Sequence, residues 1–231
     1  MIIQGVTLTG TRVLDGGVMP TGLVLYLDAD DSSSYSGSGT TLNDLSGNGY
    51  THTLSNSNLY TVLGGVKCFN CSTTGIITAV STTIQIPTNF TYISWARVRA
   101  STVGYRTLLR DYVGGHPIII NAGTNILGMW DNTTTTNFNS SGYNMAAYGD
   151  VWAQWATVGD ASGQTFYING QQVGSSVAKS VSGEYHYMWG NIFPAVDQPW
   201  GYVANLELYD SKLSLEQLQQ NYNGLKGRFG L

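Results

Sequence analysis

The chain has 231 residues, 42% hydrophobic and 12% aromatic, which is enough apolar surface for a sizeable core and too aromatic for a disordered chain. With 10 Lys+Arg against 14 Asp+Glu the net charge is −4, and only 10% of residues are charged, so a surface built to grip nucleic-acid phosphates is excluded. Gly, Ser, Thr and Asn supply about two-fifths of the residues, giving a neutral, hydroxyl-rich exterior.

Residues 1–20 are rich in Gly and Thr, alternate weakly at Val6 and Leu8, and end in Met19-Pro20; they are expected to form an arm outside the core. The opening Met-Ile-Ile-Gln lacks the basic and continuously apolar regions of a secretory signal, so export by that route is not expected. Apolar runs such as Ile118–Ile120 fall far short of the roughly 18 residues of a spanning helix, so no membrane insertion is expected. From Gly22 onward, period-two patterns broken by Gly or Asn predict strands near 22–28, 83–86, 90–99, 105–110, 117–121, 125–130, 151–159, 164–169, 171–174 and 201–210. Asn169-Gly170 suits the two positive φ angles of a type I′ hairpin turn. Ser214-Leu-Glu-Gln217 is a capping box opening a short helix, with Leu215, Leu218 and Tyr222 on one face and a stop near Gly224. The pattern is all-β: an antiparallel sandwich over 21–226, with the arm before it, a short C-terminal helix closing it and a tail at 227–231.

Cys68 and Cys71 are the two cysteines, too few for a four-ligand zinc site unless His52, His116 and His186 converge from distant segments; buried thiols on a strand are expected instead.

Several segments carry a resemblance. Trp152-Ala-Gln-Trp-Ala-Thr-Val-Gly-Asp through Phe166-Tyr-Ile-Asn-Gly170 resembles the strand–turn–strand signature of laminin-G-like, concanavalin-A-like lectin and glucanase sandwiches. Gly22-Leu-Val-Leu-Tyr-Leu-Asp28 with Asn43-Asp-Leu-Ser-Gly-Asn-Gly49 is similar to that family's opening strand and loop, Phe90-Thr-Tyr-Ile-Ser-Trp-Ala-Arg97 to its central strand, and Gly201–Asn223 to its last strand and closing helix. The resemblance implies a jelly roll of two antiparallel sheets with a concave face that often binds sugars. The opening and the Leu225-Lys-Gly-Arg-Phe-Gly-Leu231 ending resemble modules of phage and other viral structural proteins. This implies a non-catalytic virion structural or decoration protein at the virion surface, part of an oligomeric assembly, joined to other virion or capsid proteins through the arm and able to adhere to host cell-surface glycans. The alternative is a free-standing extracellular lectin module; a glycoside hydrolase or lyase is the less favoured reading.

Enzymes of this fold that cleave β-glucans use paired glutamates on one strand. Here only Glu184, Glu207 and Glu216 exist, read as a turn, a solvent-facing strand position and the first turn of the helix, so no catalytic residue is assigned. Sugar contact needs an exposed ring for the apolar face of a pyranose and polar groups for its hydroxyls. Trp130-Asp131-Asn132, Tyr143, Trp189 with Asn191, and Trp200 are the candidates, each ring with burial as its competing reading; Trp95, Trp152 and Trp155 are expected in the core. No cofactor is assigned, but Asp44, Ser46 and Asn48 place oxygens around a glycine in a spacing calcium could use. The competing reading is an Asx turn. The family's frequent acidic pair before the last strand is replaced by Ala204-Asn205, and Asp28, Asp30 and Asp31 are the nearby acids.

Overall fold

Alternating apolar and polar residues punctuated by Gly and Asn make a chain of short strands, seen here in a computed structural model that describes residues 17–18, 21–72, 77–80, 84–100, 103–111, 115–132, 137–181, 183–189, 192–193 and 196–231. The first strands are β1 (Leu23–Asp28), β2 (Thr41–Asn43), β3 (Thr51–Leu54), β4 (Tyr60–Leu63), β5 (Val66–Cys71), β6 (Ile77–Val80), β7 (Ile84–Ile86), β8 (Phe90–Val98), β9 (Arg106–Asp111) and β10 (His116–Ile120). There follow β11 (Ile126–Trp130), β12 (Phe138–Asn144), β13 (Trp152–Asp160), β14 (Gly163–Ile168), β15 (Gln171–Val177), β16 (Gly183–Met188), β17 (Ile192–Phe193), β18 (Val196–Asp197), β19 (Gly201–Val203) and β20 (Asn205–Tyr209). Helix α1 (Leu215–Leu225) and a 3-10 turn at Lys226–Phe229 close the chain.

All strand pairs are antiparallel. The first sheet runs β15-β14-β13-β8-β19-β5-β4; β20 continues the line of β19 past Ala204 and pairs with β8 and β1. The second sheet runs β12-β11-β10-β9-β16-β6-β3-β2, with β7 beside β16, and β17 with β18 makes a separate ribbon. The sandwich expected from the sequence is therefore the fold. Strands β2, β3, β4, β6, β12, β16, β17 and β18 lie outside the segments expected from the period-two pattern. β2, β3 and β12 are built largely of Thr, Asn and Ser, whose hydropathy hardly alternates; β2 is held by its ladder to β3, β3 also by β6, and β12 by β11. Glu184, expected in a turn, lies exposed on β16 opposite Gln85.

The two sheets share the main core, into which β8 sends Phe90, Tyr92, Ala96 and Val98, β13 sends Ala153 and Trp155, and β5 sends Phe69 and Cys71. The opposite phase of the same strands is also apolar. Ile93, Trp95, Ala156, Val158 and Cys68 form a second core on the outer face of the first sheet, under α1 and the C-terminal turn. Cys68 and Cys71, three apart on one strand, thus point into different cores as free, buried thiols.

The N-terminus of α1 is fixed as the sequence predicts: Ser214 Oγ accepts from the Gln217 amide, and the Gln217 side chain accepts from the Ser214 amide. The expected face is shifted. Leu215 is exposed, and the buried stripe is Leu218, Asn221 and Leu225, because the helix settles with Tyr222 stacked on Trp95 at 5.6 Å. Within residues 227–231, expected as a tail, Phe229 belongs to the second core: its ring stacks on Trp95 at 4.1 Å with the planes 2° apart, while Leu231 is exposed. Val18 is buried in the same cluster, and a Cβ on Gly17 would lie 2.6 Å from the Asn221 carbonyl, so this end of the expected arm packs beneath α1; residues 1–16 and 19–20 lie outside the described residues. Beneath the helix, Glu207 is buried rather than solvent-facing. Its Oε2 accepts from Tyr209 (2.5 Å) and from Asn221 Nδ2 (2.8 Å), and Gln154 Nε2 donates to Asn221 Oδ1 (2.7 Å). The Asn169-Gly170 turn has φ of 52° and 70°, the type I′ geometry.

The C-terminal turn is pinned by charge as well. Arg228 Nη1 and Nη2 donate to Asp28 Oδ2 and Oδ1 at 2.7 and 2.8 Å, and the Asp28 carboxylate is buried. Arg228→Ala would leave that carboxylate without its counter-charge, and should lower the free energy of unfolding by about 3–5 kcal/mol in a urea titration.

Candidate functional site

Three half-exposed aromatic residues, Tyr105, Trp130 and Phe138, lie together on the outer face of the second sheet. Along β11 the phase alternates: Leu127 and Met129 enter the main core, while Ile126, Gly128 and Trp130 take the opposite face. Trp130 pairs across the ladder with Phe138, and the Phe138 ring lies over Gly128, where a Cβ would sit 2.8 Å from its Cζ. Glycine is required there because the ring occupies the place of a side chain. Tyr105, just before β9, sets its ring edge-on to Trp130, centroids 5.2 Å apart. Trp130, Tyr105 and Phe138 are each half-exposed.

Polar groups rim this platform. Trp130 Nε1 donates to Asn132 Oδ1 at 2.6 Å, fixing the indole; the Asp131 amide donates to the Asn137 carbonyl at 2.8 Å, fixing the loop base. Lys179, after β15, lies 3.9 Å from Asp131 Oδ2 and is exposed. A planar ring beside a carboxylate, an amide and an ammonium can stack on the apolar face of a pyranose and hydrogen-bond its hydroxyls.

The other expected sugar residues do not join it. Tyr143 lies on β12 in the opposite phase to Phe138, and its ring packs against the main core. Trp189 and Trp200 are fully buried, which corrects their assignment as ligand contacts. Trp189 stacks on Phe69 at 5.3 Å and holds a φ of 62°, a left-handed backbone that bulky residues rarely adopt, stabilised by that stacking and by its amide bond to the Leu108 carbonyl. Trp200 sits edge-on to Trp155 at 5.1 Å. Asn191 lies outside the described residues. Trp95 and Trp155 are core as expected, and Trp152 lines the second core at its rim. Tyr105, Phe138 and Lys179 are the platform residues that sequence reasoning misses. Tyr105 shares the strand phase of Thr107, which is the signal that places it on the outer face.

The Asp44 loop is a hydrogen-bonded clasp. Asp44 Oδ1 accepts from the amides of Tyr26 (3.0 Å) and Ser46 (2.8 Å), and Oδ2 lies 2.6 Å from Ser46 Oγ. Asn48 Nδ2 donates to the Val24 carbonyl at 2.9 Å, so the loop is tied to β1. The neighbouring acids are engaged too: Asp28 with Arg228, Asp30 with Lys67 at 2.6 Å, and Asp31 with the Ser33 amide. A calcium ion wants six to eight oxygens, and one carboxylate already held by two amides does not fit that demand, so the Asx-turn reading replaces the calcium one. Among the described residues no three of His, Cys, Asp and Glu gather as a metal cluster. Burial pushes the His52 imidazole down to about 4, and burial with nearby Arg110 pushes His116 down to about 3, so both rings are neutral in the fold. Burial raises the Cys68 thiol to about 12 and raises Cys71 as well, which makes both unreactive.

A two-sheet antiparallel sandwich with a helix covering the outer face of one sheet and half-exposed aromatic residues on the outer face of the other is a β-sandwich of the lectin type. The chain belongs to the concanavalin A-like lectin/glucanases superfamily, which residues 71–219 match. No curated protein sequence matches the chain. Among solved structures it is similar to Trypanosoma rangeli sialidase, with a TM-score of 0.63 and 12% identity over 90% of this chain and 33% of that one. It is also similar to the binding domain of botulinum neurotoxin DC in complex with SialylT (TM-score 0.62, 17% identity, 90% of this chain and 52% of that one). The ligand-binding domain of botulinum neurotoxin serotype D, in complex with N-acetylneuraminic acid, gives 0.60 and 13% over 89% and 51%. The chain therefore spans about a third of the sialidase and half of each neurotoxin domain. At such identities the likeness is one of fold.

Burial separates the tryptophans by their effect on stability. Trp200→Ala should lower unfolding free energy by about 3–5 kcal/mol, whereas Trp130→Ala should lower it by less than about 1 kcal/mol; urea midpoints of the two variants check this.

Proposed function

We propose that this protein is a non-catalytic glycan-binding sandwich that works by surface contact, with Trp130 as the stacking ring and Asp131, Asn132 and Lys179 as its hydrogen-bonding rim. The observation that carries the reading is the Trp130–Tyr105 pair, held half-exposed on the outer face by the Asn132 bond. Trp95, Trp155, Trp189 and Trp200 are fully buried and the partly exposed Trp152 packs against the second core, whereas Trp130 has, among the described residues, only Tyr105 edge-on to it on the outer face of the second sheet, which suits a surface that meets something. The sialylated ligands of the two neurotoxin domains support sugar as the ligand class. The separation of the three glutamates, one exposed on β16, one buried under α1 and one in the helix's first turn, supports binding without hydrolysis. On a carbohydrate array the wild type should retain at least one glycan and Trp130→Ala should lose it; retention of no glycan, or unchanged retention by the variant, would overturn the reading.

The finer reading is that this module decorates a virion, facing outward with its glycan surface and joined to neighbouring virion proteins by its N-terminal segment. It is supported by the resemblance of the opening and ending to viral structural modules and by the Gly- and Thr-rich composition of residues 1–16. Because Gly17 and Val18 pack beneath α1, removal of residues 1–16 should leave the sandwich folded while abolishing oligomers. Light scattering that finds the same assembly state in both forms would rule out the arm as the joint.

A further inference from the structure

A second concavity lies at one end of the sandwich, where Ala100 and Val103, Asn125 of the β10–β11 turn, and the link from β12 to β13 meet. It encloses about 510 Å³, within the range of small-ligand sites. Arg106 and Met145 are buried beneath it, and Val103 and Ala146 are exposed at its rim. Asn125 stands on its wall with a φ of 57°, and its carbonyl accepts from the Met145 amide at 2.9 Å, tying two of the connections together.

Arg106 is the anomaly. Its guanidinium is 0% exposed, yet every group it touches among the described residues is neutral: Nη1 donates to the Arg99 carbonyl (3.1 Å) and lies 3.9 Å from Met145 Sδ, and Nη2 donates to Asn125 Oδ1 (2.5 Å). Its Nε–H has no partner. Arg99 beside it donates to the carbonyls of Ser72 and Val103, and its Nε–H is likewise unpartnered. Buried charges in proteins are paired, because an uncompensated ion in a low-dielectric site loses several kcal/mol of hydration. Arg228, the partly buried arginine described above, obeys this rule through the buried carboxylate of Asp28. Burial and the adjacent Arg99 push Arg106 down to about 10, as expected where two cations face each other without an anion between them.

We propose that this pocket binds the carboxylate of an acidic sugar, which supplies the missing counter-charge to Arg106. Nε–H and the remaining Nη2 proton are the fork that accepts a carboxylate side-on. The Asn125 amide, whose oxygen is held by Arg106, offers its NH₂ to a ring hydroxyl. Met145, Ala146, Val103 and Ala100 give an apolar wall for the body of the sugar. The proposal rests on the glycan-binding reading and adds the charge of the glycan.

Isothermal titration with glucuronate, N-acetylneuraminate, glucose and glutarate tests it. Both acidic sugars should bind the wild type at least tenfold more tightly than either glucose or glutarate. Arg106→Gln should weaken acidic-sugar binding at least tenfold; Ala146→Trp, which fills the rim and leaves Arg106 in place, should do the same with unchanged circular dichroism. Equal binding of glucose and glucuronate, or acidic sugars held unaltered by Ala146→Trp, would overturn the acidic-sugar pocket while leaving neutral-glycan binding at Trp130 intact. Glutarate binding as tightly as glucuronate, together with an array that retains no glycan, would overturn both.

Discussion

The first sheet is apolar on both faces, and a sheet of that kind has to be covered twice. The second sheet covers one face. The other is covered by α1 and the Lys226–Phe229 turn, held by the flat stack of Phe229 on Trp95 and by the two-pronged Arg228–Asp28 pair. The pair joins residues two hundred positions apart, so it forms only when the whole sandwich is assembled and then locks the chain's end to its first strand. Phe229 and Arg228 are thus the plug and clamp of the second core.

This arrangement divides the molecule by face. With the outer face of the first sheet sealed under a helix, it is the outer face of the second that presents aromatic rings with a polar rim. The platform inherits its rigidity from the core beneath it. Leu127 and Met129 anchor β11 from below, while Gly128 makes room for Phe138 between Trp130 and Ile126 on the outer side. A binding surface on strands with buried alternate residues is more exactly placed than one on loops, which suits recognition by contact alone.

Low charge sharpens the meaning of each ion. In a chain where one residue in ten is charged, Arg228 and Arg106 show what surroundings make of a cation withdrawn from solvent. Arg228 is satisfied by a carboxylate of its own chain and contributes to stability. Among the described residues Arg106 meets only neutral acceptors, and its charge sits at the floor of a cavity. The same chemistry placed in two surroundings gives a structural clamp in one case and a ligand-seeking group in the other.

The amino-acid sequence by itself determined the sandwich, the Asn169-Gly170 hairpin and the capping box at Ser214, because strand period, turn residues and caps act over a few neighbouring positions. Trp130 was marked as a candidate by the same local logic, and so were Trp189 and Trp200, since an indole beside Gly, Asn or Pro reads alike whether it ends up in solvent or in the core. Glu207 and Leu215 show the same limit: their local patterns suit a solvent-facing strand and a buried helix face, and the docking of α1 reverses both. Tertiary structure alone decided which indole was covered, which face of α1 turned inward and that Arg106 met no acid among the described residues. Each of those depends on groups far apart in the chain arriving at one place, and side-chain period carries no information about what lies across the sandwich.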